Sequence, residues 1–306
     1  MTSNDRTALE TLEKRFKVLL PEEYQDSYED LQPVPMRSAG LKYRADGRVA
    51  WDQIWGSFCD LAMAGGPPHR GTLLEPGRLA EIDAQPDRYE EVTEEICRGV
   101  RMAADLDAEP SPHPGWVRVL CPNEIMSGWL LRAIVMENIS AHAEGAKLDL
   151  PSAPAFRLEK EVKNVVTVIA KTCHYWLGHM PRSQHLAIAS AFADMAADSP
   201  LVEPALPASD DPNTDNTARQ RMAEMIRRST GLQVSNHRYP GWIGVGCSSV
   251  RAAIWMMRAM VASNVLSRRE ETVLFVPVNQ ASDPDGRRVA ASLARVHDLA
   301  AVRKVL

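Results

Sequence analysis

Two cysteines stand at matched places in this chain. Cys121 closes Pro114-Gly-Trp-Val-Arg-Val-Leu-Cys121, and Cys247 closes Pro240-Gly-Trp-Ile-Gly-Val-Gly-Cys247, 126 positions later. A thiolate is a nucleophile and a base, and a thiol is an acid. Two of them on opposite sides of one substrate could remove a proton from one face and return one to the other. Such chemistry requires depressed thiol pKa values, and each cysteine precedes a predicted helix by a few residues, where the helix dipole would favour the anion.

The same comparison gives further candidates. The register holds without a gap from Pro114 to Pro151 and from Pro240 to Pro277, and 13 of the 38 aligned positions are identical. They include Trp129/Trp255, Arg132/Arg258 and Asn138/Asn264. An arginine and an asparagine on a helix next to an apolar stripe are too polar to be buried unpaired, at a cost of about 1–3 kcal/mol each. Arg132, Arg258, Asn138 and Asn264 are therefore candidate substrate-binding groups, or contacts from one copy to the other. A third site is the stiff loop Gly65-Gly-Pro-Pro-His-Arg-Gly71. Its glycines allow close backbone approach, its prolines limit its freedom, and His69 and Arg70 suit an anionic group. We take Cys121, Cys247 and His69 as candidate catalytic residues and Arg70 with the two Arg/Asn pairs as binding residues. The paired thiols follow the logic of cofactor-independent amino-acid racemases, an analogy of mechanism only.

Thr172-Cys173-His174-Tyr175-Trp176-Leu177-Gly178-His179 raises the question of metal. Its spacings are not those of a zinc finger or a His-Glu-x-x-His helix, and adjacent residues on an α-helix point about 100° apart. No metal and no cofactor are predicted. Glycine-rich dinucleotide and phosphate loops, a nucleophile elbow and a paired Cys-x-x-Cys motif do not occur.

These candidates need elements to hold them. Apolar spacing predicts helices over 8–19, 49–64 (with Trp51, Ile54, Trp55, Phe58, Leu61 and Ala62 on one face), 88–106, 126–142, 158–177, 183–197, 217–232, 252–268 and 285–303. Extended segments are predicted at 116–120, 146–150, 242–246 and 272–276. A strand, a helix and a strand read as a βαβ unit with parallel pairing. The predicted fold is α/β (or α+β), with an internal duplication of a helix-strand-helix-strand-helix module about a pseudo-two-fold axis. The expected domains are 1–85, an N-terminal helical segment with the Gly/Pro loop; 86–198, the first repeat plus an extra helix; 199–216, a Pro/Asp/Ser-rich linker; and 217–306, the second repeat.

With 306 residues, 45% of them hydrophobic and 25% charged, the chain can bury a large core in one domain or two. A net charge of -5 gives no basic footprint for nucleic acid. No apolar run reaches membrane-spanning length, no secretory signal is visible, and five widely spaced cysteines suit a reducing compartment. The expectation is a cytoplasmic protein. Its leading function is an enzyme acting on a small polar or anionic metabolite in a cleft between the two halves. A non-catalytic scaffold or accessory subunit, using the duplicated faces for protein–protein contact or self-association, is the alternative. A tandem nucleic-acid-binding protein is the third reading.

Overall fold

The computed structural model describes residues 3–25, 40–54, 60–205, 216–237 and 239–306. Among these are ten α-helices and two antiparallel sheets, a mixed α/β chain. No described helix is long and apolar enough to cross a membrane. The chain divides into two compact units, one of residues 30–182 and one of residues 1–29 with 183–306.

The first helices of the chain are α1 (Ser3–Val18) and α2 (Glu22–Gln25). Unit 30–182 then contains α3 (Leu79–Ala84), α4 (Pro86–Ala104), β1 (Asp107–Pro110), β2 (Trp116–Leu120), α5 (Glu124–Met136), β3 (His142–Glu144), β4 (Lys147–Pro151) and α6 (Lys163–His174). Proline at the first position of α4 has a preset helical φ and lacks only an N–H that would have no intrahelical acceptor. Its buried face is Val92, Ile96, Val100 and Ala103, at helical spacing as predicted. Gly99 lies where α4 meets α6: a Cβ there would fall 2.5 Å from Val166 Cγ2. Asn123 caps α5, its Oδ1 accepting from the backbone N–H of Ile125 and Met126.

The sheet of this unit runs β1-β2-β4-β3 with every pair antiparallel. The expected parallel βαβ pairing is therefore corrected. After α5 the chain enters the short strand β3 and turns at Gly145, which has a φ of 59°, before β4 begins. That extra reversal makes β4 oppose β2, from Trp116↔Pro151 to Leu120↔Lys147. The ligand-binding rule for carboxyl ends of parallel strands does not apply to this topology.

The other unit holds α1, α2, α7 (Arg182–Asp198), α8 (Asn216–Thr230), β5 (Trp242–Gly246), α9 (Val250–Ala262), β6 (Arg268–Glu270), β7 (Val273–Pro277) and α10 (Arg287–Arg303). Its sheet runs β5-β7-β6, again antiparallel, with Trp242↔Pro277 in register. α1 belongs here because Phe16 meets Trp255 of α9 edge-on at 6.2 Å, and Glu13 and Asp5 bind Arg303 and Arg295 of α10. α7, expected in the first half, also falls in this unit: Gln184 Nε2 donates to the Val18 and Leu20 carbonyls at and just beyond the end of α1. The expected linker 199–216 is not a boundary at its described end. Val202 is fully buried and its backbone pairs with Asn264 and Leu266.

Several backbone features recur 126 positions apart. Left-handed residues occur at Gly115/Gly241, Asn138/Asn264 and Gly145/Glu271. A similar bond pair occurs in each unit, its first donors 128 positions apart: Gly77 donates to Ser152 O while Ser152 donates to Gly115 O; Ala205 donates to Val278 O while Val278 donates to Gly241 O.

The predicted helix over 49–64 does not form as one element at its described positions. Trp51–Gln53 and Ala62–Ala64 are single 3-10 turns. Backbone and side-chain donors here serve tertiary partners: Ala50 N donates to Lys42 O, Trp51 Nε1 to Glu95 and Ala62 N to Glu137. Trp55 and Phe58 lie outside the described residues.

Candidate functional site

The best-formed polar constellation sits in unit 30–182, where the 65–71 loop meets α5 and α6. Glu137, just after α5, is fully buried. Its Oε1 accepts from Ala62 N and from Lys171 Nζ of α6, each at 2.8 Å. Its Oε2 accepts from His69 N at 2.8 Å. Lys171 is equally buried, so the pair is a low-dielectric salt bridge. Three positive donors or N–H groups saturate one carboxylate, and two of them belong to the stretch that carries the loop.

The neighbouring residues fasten the rest of the loop. Arg70 N donates to Glu137 O at 3.2 Å, and Asn138 Nδ2 donates to Arg70 O at 2.8 Å. Leu74 N donates to Asn138 O and Ser140 N to Leu74 O. Gly66 is required for close approach, since a Cβ there would lie 2.5 Å from Asp60 O, and Gly65 takes a φ of 104°. The stiffness read from two prolines thus comes mainly from a buried anion beneath the loop.

His69 faces Asn164 of α6, its Nε2 lying 3.1 Å from Oδ1. With that oxygen presented, Nε2 carries the ring proton and Nδ1 is a bare acceptor. Nδ1 is buried and has no hydrogen-bond partner among the described residues. Burial, then the nearby Lys171 charge, pulls the imidazole pKa down to about 3. His69 is therefore neutral at physiological pH and a weak base, far from the value that suits proton transfer there. Arg70 Nη1 stands 3.9 Å from Glu161 Oε1. Glu161 lies in a π-helical turn, Leu158–Val162, that leads into α6. Burial raises its pKa, but hydrogen bonds from the Arg157 side chain and backbone outweigh this and hold it near 2.

The matched candidates fare differently. Cys121 is buried and Cys247 half-buried. Burial pushes their thiols up to about 12 and about 11 respectively. At pH 7 a thiol of pKa 11 is ionised in roughly one molecule in ten thousand. Cys121 belongs to unit 30–182, whereas Cys247, Arg258 and Asn264 belong to the other. Arg132 and Arg258 are both buried, and Arg132 Nη1 donates to Gly128 O one turn back in its own helix. Asn138 and Asn264 hold the left-handed turn after their helices and bind the strand-like segment beside them: Asn138 to Arg70 O, Asn264 to Ser199 O. Of the sequence candidates, only His69, Arg70 and Asn138 come together around the loop.

Glu137, Lys171 and Asn164 were not singled out from the sequence. Glu137 and Lys171 are 34 positions apart in an otherwise apolar setting, and the one visible signal was a charged residue within each apolar run. No protein-family model, curated protein or solved structure matches this chain.

Proposed function

We propose that this chain binds a small polar or anionic metabolite at the 65–71 loop, with His69 as a neutral hydrogen-bond acceptor. The observation that carries this reading is His69 Nδ1, a buried acceptor without a partner on a loop held by a buried ion pair. Buried polar atoms are nearly always satisfied, and an exception calls for a bound group or water. A ligand N–H or O–H directed at Nδ1 would satisfy it. The depressed pKa favours binding over acid/base catalysis, and the raised thiol values remove support from two-cysteine proton transfer.

We also infer that the two units descend from one duplicated module. The recurring left-handed turns, strand registers and asparagine bonds support this. The Glu137–Lys171 pair has no counterpart at the same offset, where Ser263 and His297 stand. A fold that is built once without this ion pair does not depend on it for topology, which favours a role for the pair in holding a binding loop.

The test is a thermal-shift screen of polar metabolites against the full chain, followed by calorimetry on the strongest hit. His69→Phe keeps an aromatic ring, somewhat larger than imidazole, and removes the acceptor along with the Asn164 contact, and is expected to weaken binding at least ten-fold. Because His69 stays neutral down to about pH 3, binding of a non-titrating ligand should change little between pH 7.5 and pH 5. Unaltered affinity in His69→Phe would overturn the assignment.

A further inference from the structure

We propose that His174 and His179 form a binding site for a divalent transition-metal ion such as Zn2+. α6 ends at His174 and continues as a π-helical turn, Tyr175–His179. In an α-helix, residues five apart point about 140° away from each other. The wider π turn brings these two back onto one face, with Nε2 3.1 Å from Nε2. Such turns are rare and concentrate at functional sites.

The ring geometry fits chelation. Two imidazole nitrogens about 2.05 Å from one ion and about 3.1 Å apart place their ring centres about 4.8 Å apart, taking roughly 1.15 Å from centre to nitrogen. The observed centroid separation is 4.9 Å, with the rings inclined at 72°. A head-on hydrogen bond at the same nitrogen separation would give about 5.4 Å. The rings are therefore turned off the head-on line of their Nε2–Nε2 hydrogen bond, toward the separation that two ligands of one ion would show. With bonds of about 2.05 Å to one ion, the 3.1 Å separation would correspond to an angle of about 100° at the ion, between the octahedral cis angle and the tetrahedral angle.

The position suits an accessible site. His174 is exposed and His179 half-exposed, while the flanking Tyr175 and Trp176 are buried and anchor the turn. Trp176 packs against Trp129 of α5, their ring centroids 5.5 Å apart. Among the described residues no group of three His, Cys, Asp or Glu side chains could hold a metal. The protein thus supplies two ligands, one fewer than a catalytic zinc site has, and water or an exogenous ligand completes the shell. Imidazole ligands favour Zn2+, Ni2+ or Cu2+ over Mg2+ or Ca2+, which take oxygen ligands.

The test is a calorimetric titration of the full-length protein with Zn2+ at pH 7.5, with Mg2+ as the control ion. We expect saturable Zn2+ binding that falls at least ten-fold in His174→Gln and in His179→Gln. The variant His185→Gln should bind as the parent does. Thermal melts of each variant without metal should match the parent. Equal Zn2+ affinity in the parent and in the His174→Gln/His179→Gln double variant would overturn the proposal, as would Mg2+ binding as tight as Zn2+.

Discussion

Glu137 shows how one buried group can organise a site. Its carboxylate binds the Ala62 and His69 N–H groups and the Lys171 ammonium, so the loop, α5 and α6 share one anion. Removing one partner of such a pair leaves an uncompensated charge, which costs about 3–5 kcal/mol, whereas replacing both by uncharged groups of similar size is often near neutral. Lys171→Met should therefore lower unfolding stability by that amount in a denaturant titration. Glu137→Gln combined with Lys171→Met should recover most of it. If the double substitution destabilised as much as the sum of the singles, the two groups would not be acting as a pair. Cys121 and Cys247 gave the clearest signal in the sequence because identity and spacing are visible there. Their raised pKa values were not visible, because desolvation depends on atoms brought close by folding.

At the scale of elements, most helices and the positions of the repeated strands were legible because apolar periodicity and strand alternation are local. The direction of pairing was not. A strand, a helix and a strand suit a parallel crossover, and only the three-residue β3 with its turn reverses the chain a second time. Strands this short carry little periodic signal. The segment 49–64 had strong helical spacing, but Ala50 N and Ala62 N serve acceptors outside it, and the other described bonds close only single 3-10 turns. Gly99 makes a contact between elements that can be tested directly. Gly99→Ala should favour the isolated helix by propensity, yet its methyl meets Val166 at the α4–α6 crossing. The net effect is expected to be a loss of about 1–3 kcal/mol, as for other overpacked cores. Val166→Ala in the same chain should relieve it. A gain of stability in Gly99→Ala alone would show that the two helices separate at little cost.

At the scale of the whole molecule, the division into two units decides which distant substitutions act together. Phe16 lies near the beginning of the chain but packs on Trp255. Phe16→Ala is expected to cost about 3–5 kcal/mol of local stability. In hydrogen exchange followed by mass spectrometry, protection should fall within α1, α9 and α10 and change little in α4 and α6. Equal loss in both units would mean that they unfold as one. The chain order suggested a boundary at 199–216, because proline, aspartate and serine mark irregular backbone. Composition does not say whether such a backbone is free or used, and Ser199 to Ala205 is held by Asn264, Leu266 and Val278 through ordinary backbone bonds. The sequence by itself determined most of the helices, the 126-residue recurrence of residues and the two residues, His69 and Arg70, that mark the loop. These rest on local geometry and on residue identity. The tertiary structure alone decided the antiparallel sheets, the buried Glu137–Lys171 clamp, the desolvation of the paired thiols and the meeting of His174 with His179. Each of these depends on desolvation or on a through-space distance, and neither is encoded in any single stretch of the chain.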